Sequence, residues 1–220
     1  MSREKAEQIL QILRENFTLP KWVSADHNPF ETLIITIISQ NTSDRNTEKA
    51  FEKLSKAFPI NPEALANAKK SEIENCLKVA GLYRNKAKTI RQTSKIILEK
   101  FGGSLEPVLN LPFEKARETL MQLPGVGPKT ADVLLLFSAK KPTIPVDTHV
   151  NRVSKKLGLA PANGDYESVR ESLQLLYKPE DYLELHILLI LLGRRYCKAR
   201  KPLCKPCPVR ALCPSKINSL

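Results

Sequence analysis

Apolar side chains recur at helical spacing from the start of the chain. Ala6, Ile9, Leu10 and Leu13 fall on one face of a segment running from Arg3 to Asn16, which predicts an amphipathic helix that must pack against something. Phe17 to Asn28 reads as a loop. Pro29 then opens an almost wholly apolar run, Phe30 to Ser39, whose β-branched residues would also suit a strand. Its neighbours all have helical period and no partner strand is in sight, so it reads as a buried helix. Gln40 to Asp44 closes that run with polar residues, and Asp44 is expected to cap a helix carrying Ala50, Phe51 and Leu54 as far as about Ala57. Short helices follow near Pro62 to Ala68 and Lys70 to Lys78. A glycine turn, Val79-Ala80-Gly81-Leu82-Tyr83, leads into a helix reaching about Lys100. Of its cations Arg84, Lys86, Lys88, Arg91 and Lys95, most read as a solvated face, whereas Leu82 stands at an exposed turn. Gly102 and Gly103 end that helix.

The second half continues in the same period. Two arms, Pro112 to Gln122 and Pro128 to Ala139, flank a glycine turn, and helices are expected over Thr148 to Leu157, Tyr166 to Leu176 and Asp181 to Tyr196. Pro161 to Gly164 makes a loop. No strand pattern, repeat, low-complexity tract or long linker emerges, and the fold class is all-α.

Composition narrows the partners. The chain has 220 residues, enough for one substantial core or two small lobes, and carries 35 Lys and Arg against 23 Asp and Glu, a formal charge of +12. Such a field favours a polyanion, nucleic acid above all, although composition by itself leaves an acidic membrane surface open. Met1 to Leu13 mixes acid and base with no apolar signal core, and no stretch is long enough to span a bilayer, so a soluble intracellular protein is expected. Four of the five cysteines crowd the C-terminal end, which argues for a metal site over disulfides in a chain without an export signal. Cys76 stands apart as an ordinary half-buried thiol.

The stretch with the most chemistry is Leu123-Pro124-Gly125-Val126-Gly127-Pro128-Lys129-Thr130, answered downstream by Val146-Asp147-Thr148-His149. Gly125 and Gly127 permit positive φ and leave backbone N–H groups uncovered for a phosphate oxygen. Pro128 suits the first position of a helix, which places Lys129 in the first turn. There the partial positive charge of the helix end opposes protonation of an ammonium, and burial would oppose it further, so Lys129 is a plausible amine nucleophile. The helix rises about 17 Å, and an extended return from Lys140 to Asp147 spans up to about 25 Å, so a Lys129/Asp147 pair is geometrically permitted. The plainer alternatives are a solvated Lys129 touching phosphate and an Asp147 that only caps the helix beginning at Thr148. On residue types alone the plainer pair is favoured.

Cys197, Cys204, Cys207 and Cys213 are spaced C-x6-C-x2-C-x5-C, in a segment broken by Pro202, Pro206, Pro208 and Pro214. Four soft thiolates on a tight loop imply one tetrahedral zinc or an iron–sulfur cube, and physics alone leaves both open. Arg194, Arg195, Lys198, Arg200, Lys201, Lys205 and Arg210 surround them and suit phosphate contact.

The run LPGVGPKTAD, the later VDTHVNRV and the terminal cysteine spacing resemble the endonuclease III family of helix–hairpin–helix DNA glycosylase/lyases. The resemblance extends over nearly the whole chain, including Asn28-Pro29-Phe30 and Gly81-Leu82-Tyr83. It implies two helical lobes with DNA in the cleft between them, one over residues 22–140, the other joining residues 1–21 to 141–220. It decides for a [4Fe-4S] cluster on Cys197, Cys204, Cys207 and Cys213, with a structural and DNA-positioning role. It implies double-stranded DNA containing damaged bases or abasic sites as the partner, a monomer, and a nucleoid-associated prokaryotic setting. Lys129 and Asp147 become the catalytic pair of a bifunctional glycosylase and abasic-site lyase that removes damaged, oxidised pyrimidines. Gln40, Asn41, Leu82, Leu123, Gly125, Val126 and Gly127 become the DNA-binding residues, with Leu82 and either Asn41 or Gln40 filling the gap left by a flipped nucleotide. Bacterial members usually have glutamine where Asn41 stands, which leaves open which of the two fills it. Thr36 replaces the catalytic glutamate of adenine-specific relatives. Lys129 argues against the monofunctional branch acting on thymine or uracil opposite guanine, which is kept as an alternative, as are a non-catalytic helix–hairpin–helix DNA-binding protein and a zinc-stabilised form of either. His149 orients Asp147 or simply packs, with packing favoured.

Overall fold

A computed structural model describes residues 1–24 and 28–215. Among the described residues every regular element is helical, and the chain divides into two compact units, Asp26–Lys141 on one side and Met1–Ala25 with Pro142–Leu220 on the other.

Within Asp26–Lys141, the apolar run is helical. Helix α2 (Pro29–Ser39) starts at Asn28, whose Oδ1 accepts from the N–H groups of Phe30 and Glu31 at 2.9 and 3.1 Å, while Pro29 fills the first helical position. It buries Phe30, Leu33, Ile34, Ile37 and Ile38, so tertiary burial outweighs the strand preference of its β-branched residues. Helix α3 (Asp44–Ala57) is capped by Ser43 rather than Asp44. The Ser43 hydroxyl accepts from Asn46 N–H at 3.3 Å, and Asp44 sits in the first turn, where a negative charge is also favoured.

Helices α4 (Pro62–Asn67) and α5 (Lys70–Leu77) pack against the long α6 (Tyr83–Phe101). A single turn, α7 (Glu106–Leu109), has no counterpart in the periodicity, being too short to show one. Next come α8 (Phe113–Met121) and α9 (Pro128–Phe137), packed on each other. Every residue of α9 from Thr130 to Phe137 is buried, which is why its sequence is apolar all round instead of striped. The one charge in that stretch, Asp132, is held by Arg117 of α8 through Nε–Oδ1 and Nη2–Oδ2 contacts of 2.9 and 3.2 Å, so the two arms are tied by a buried, two-pronged ion pair.

In the other unit, α12 (Tyr182–Arg195) is the central helix, contacted by α1 (Arg3–Asn16) and α10 (Thr148–Leu157), while α11 (Tyr166–Leu176) packs on α10. The stripe Ala6, Ile9, Leu10 and Leu13 of α1 is buried, and Arg14 reaches Asp181 and Glu184 at 2.7 Å each. Helix α10 crosses α12 at Gly193, where a Cβ would stand 3.0 Å from His149 Nδ1 and 3.1 Å from Val153 Cγ2. No helix among the described residues is long and apolar enough to cross a membrane.

Candidate active site and nucleic-acid interface

The turn between α8 and α9 is built from inside. Leu123 N–H donates to Leu120 O at 3.0 Å and Val126 N–H to Leu123 O at 3.1 Å, and both side chains are buried in the core. Leu123 and Val126, expected among the DNA-binding residues, thus direct side chain and amide inward and anchor the turn. Its exposed backbone belongs to Gly125 and Gly127. Gly125 has φ +76°, and a Cβ there would stand 2.4 Å from Thr89 Cγ2, so glycine is required by conformation and by packing together. Gly127 departs from expectation. Its φ is −95° and ψ −176°, extended backbone open to any residue, and an added Cβ would meet nothing within 4 Å. Its smallness keeps the approach to α9 clear; no left-handed conformation is involved. The first helical bond of α9 runs from Ala131 N–H to Gly127 O at 3.0 Å, and no side chain caps the helix. An uncapped N-terminus of this kind presents N–H groups to an anion. Lys129, half-buried, is its second residue.

Two side chains fasten the turn to its surroundings. Gln40 Nε2 donates to Gly125 O at 3.0 Å, and Thr93 Oγ1 donates to Pro124 O at 2.8 Å. Beside Gln40, Asn41 is exposed with φ +54°, and Leu82 is 59% exposed with φ +45°. A left-handed non-glycine residue costs about 1–2 kcal/mol, less for asparagine, so both are held against preference. Gln40, Asn41 and Leu82 line one small cavity of about 80 Å³ with Ile37, Asn85, Lys86 and Thr89. Lys86 corrects the solvated-face reading of α6: it is buried, and its Nζ donates to Ile38 O at 2.7 Å and Ala80 O at 2.9 Å. The signal was present in the sequence. Lys86 shares the helical stripe of Ile90, Thr93, Ser94 and Ile97, all buried. Of the other four cations, Arg84, Lys88 and Lys95 are exposed and Arg91 is half-buried. Thr36, where adenine-specific relatives were expected to carry glutamate, is buried and bonded to its own helix at Thr32 O.

Asp147 lies in the other unit. The extended residues before it are pinned by Val146 N–H to Tyr166 Oη at 3.3 Å and by His186 Nδ1 to Pro145 O at 2.9 Å. Half-buried Asp147 caps α10, its Oδ1 accepting from Val150 N–H at 2.7 Å. The capping role is therefore real, and it occupies one of the two carboxylate oxygens. His149 packs at Gly193 with Nδ1 3.1 Å from Arg152 Nη2, and Arg152 Nε donates to Cys197 O at 2.9 Å.

Cys197, Cys204, Cys207 and Cys213 all line a single cavity of about 170 Å³, larger than the ~150 Å³ that holds a benzene ring. Short backbone bonds fold the segment around it: Leu203 N–H to Tyr196 O, Cys207 N–H to Cys204 O, Arg210 N–H to Cys207 O and Cys213 N–H to Arg210 O. Burial pushes the Cys197 and Cys207 thiols up, and the neighbouring cysteines add to the rise. Those two thiols are thus poor anions by themselves and would need a cationic centre to be thiolates. Among the described residues no three His, Cys, Asp or Glu side chains are gathered as around one metal ion. Arg194, Arg195, Lys198, Arg200, Lys201, Lys205 and Arg210 are all exposed around the loop.

An all-helical chain with such a hairpin is of the class of helix–hairpin–helix DNA repair proteins, and the model of the HhH-GPD superfamily base excision DNA repair proteins matches residues 34–179. Endonuclease III of Thermotoga maritima is 39% identical over 186 residues, covering 84% of this chain and 83% of that protein. Endonuclease III of Escherichia coli K12 is 36% identical over 218 residues, covering 98% of each. The structure of a trapped endonuclease III–DNA covalent intermediate, an estranged-adenine complex, matches with a TM-score of 0.86 at 31% identity over 98% of this chain and 97% of that one. The chain belongs to the endonuclease III family of the HhH-GPD superfamily.

Proposed function

We propose that this chain is a bifunctional DNA glycosylase and abasic-site lyase of base excision repair, acting as a monomer on double-stranded DNA that carries oxidised pyrimidines or abasic sites. The observation that carries this reading is the placement of Lys129 one residue into α9, directly after a turn whose Gly125 admits no side chain. Backbone amides at Gly125, Gly127 and the start of α9 contact phosphate without reading sequence, which suits an enzyme that searches all DNA. Lys129, as the free amine, attacks C1′ of the flipped nucleotide. As the C1′–N bond breaks, the base leaves with the bonding pair, and Asp147 accepts the proton that the amine sheds. Ring opening gives a Schiff base between Lys129 and C1′. That iminium acidifies C2′; its proton is lost, the C3′–O bond breaks, and the 3′ phosphate departs. Water then hydrolyses the imine and frees Lys129. Asn41 and Leu82 fill the gap in the stack, offsetting part of the few kcal/mol that eversion costs.

The four cysteines fit a [4Fe-4S] cluster in that all four soft sulfur ligands border one cavity of about 170 Å³. Such a cluster would be held by Cys197, Cys204, Cys207 and Cys213, and it would supply a structural brace that presents the surrounding cations to phosphate.

Borohydride reduction tests the covalent step. A duplex with one oxidised pyrimidine is expected to be trapped on the wild-type chain, and Lys129→Ala is expected to lose both trapping and nicking. Undiminished nicking by that variant overturns the nucleophile, and base release with no nick by the wild type turns the reading to a monofunctional glycosylase.

A further inference from the structure

Lys86 is a buried, titratable side chain for which the chemistry above has no use. Its aliphatic stem lies on the core stripe of α6, and its Nζ reaches the carbonyls of Ile38, at 2.7 Å, and Ala80, at 2.9 Å. Those two oxygens belong to two different segment ends. Ile38 is the penultimate residue of α2, followed by Ser39, Gln40 and Asn41, and Ala80 closes a short 3-10 turn followed by Gly81 and Leu82. The carbonyls at a helix end lack partners inside their own helix, so one ammonium between two such ends ties them together. Beyond each tie a residue that is not glycine takes up a left-handed conformation, Asn41 on one side and, after Gly81 at φ +63°, Leu82 on the other. Lys86, Asn41 and Leu82 all line the same cavity of about 80 Å³. An isolated lysine buried here would tend to lose its proton, and burial does push its ammonium below the usual lysine range. The two carbonyl acceptors oppose that tendency, which is a reason for the amine to sit where it does and not elsewhere on the stripe.

We propose that Lys86 is a positioning residue that sets the spacing of Asn41 and Leu82, so that both enter the base stack together when a nucleotide is everted. This rests on the gap-filling reading of those two residues given above. A purely structural lysine would stabilise the unit and do nothing specific to eversion; a positioning lysine acts through Asn41 and Leu82 and has no effect once they are gone.

A double-mutant cycle separates the two. Lys86→Met keeps the stem and removes the donors. Single-turnover base release is measured on a duplex with a paired lesion, in the wild-type background and in an Asn41→Ala/Leu82→Ala background. The expected result is a loss of about tenfold on adding Lys86→Met to the wild type and less than twofold on adding it to the double variant. Equal losses in the two backgrounds, or no loss in the wild type, overturn the proposal. If Lys86→Met does not fold, Lys86→Gln, which keeps one donor group, is read by the same cycle. Failure of the wild-type chain to release any base would instead strike the function itself, and base release unaffected by Asn41→Ala/Leu82→Ala would strike the gap-filling reading.

Discussion

Gln40 donates its side-chain amide to the carbonyl of Gly125 at 3.0 Å, which ties the end of α2 to the hairpin that carries Lys129. Its neighbour Asn41 is exposed, in a left-handed conformation, beside Leu82 at one cavity. Two adjacent polar residues thus differ in their contacts, and the gap-filling role proposed above falls to Asn41. Gln40→Ala is expected to loosen the hairpin, lowering stability by about 1 kcal/mol, or about 2–4 °C in melting temperature for a chain of this size. Asn41→Gly, which suits the left-handed backbone, is expected to leave the melting temperature nearly unchanged while slowing release of a paired lesion by about tenfold. Thermal melts and single-turnover rates on the two variants check this. The reverse pattern would make Gln40 the gap-filling residue.

Asp147 caps α10, and the proton-accepting role proposed for it can be pulled apart from that cap by substitution. Asparagine caps a helix about as well as aspartate, so Asp147→Asn keeps the bond from Val150 N–H and should melt close to the wild type. Without a carboxylate to take the proton, its turnover should fall by about 100-fold or more, with DNA affinity retained. Asp147→Ala loses the cap as well and should be less stable by about 1 kcal/mol. Wild-type turnover in Asp147→Asn would reduce the residue to a cap.

The two glycines of the hairpin make opposite predictions. At Gly125, alanine meets Thr89 Cγ2 at 2.4 Å in a backbone of φ +76°, and the combined overpacking and strain should cost about 2–4 kcal/mol in urea denaturation. Adding Thr89→Ser removes the clashing methyl and should return the packing share, leaving only the strain. Gly127→Ala meets no neighbour and needs no unusual φ, so its stability should change by less than about 1 kcal/mol. Its DNA affinity should nonetheless fall, because the new methyl stands in front of the helix end. Unchanged affinity in Gly127→Ala would remove phosphate contact from that residue.

How much of this was legible in the sequence follows from what kind of force fixes each feature. The stripe of α1 and the glycine hairpin are local patterns, and they could be read from spacing alone. Helix α2 needed an argument from its neighbours, since β-branched residues prefer strands until burial decides. Ser43 against Asp44 was a choice between two good caps one residue apart, which only the backbone turn resolves. Positive φ was assigned to Gly125 and Gly127 alike, yet only one needs it, because the turn's path and Thr89 are set by tertiary packing. Lys86 is the buried exception to a solvated face expected for most of the five cations, and one of its two carbonyl partners, Ile38, lies 48 residues away in sequence. The likeness in motifs that named the family was sequence information of another kind, and the family is confirmed over residues 34–179.

The cysteine loop makes the last prediction. A single zinc holds four thiolates at about 2.3 Å from one centre, which draws the sulfurs into a tight tetrahedron. Here all four border one cavity of about 170 Å³, and the cluster proposed above would place several metal atoms between them. The purified chain should therefore be coloured and contain about four irons per molecule by elemental analysis. Because the loop between Tyr196 and Cys213 has mostly short turn bonds along it, besides the bond from Arg152 to Cys197 O, and carries exposed cations, Cys204→Ala should bleach the protein and lower its melting temperature. DNA affinity should fall with it, as Lys198, Arg200, Lys201 and Lys205 lose their fixed placement, and the salt dependence of binding should become shallower. A colourless wild-type protein with one zinc per chain would overturn the cluster and leave a zinc knot in its place.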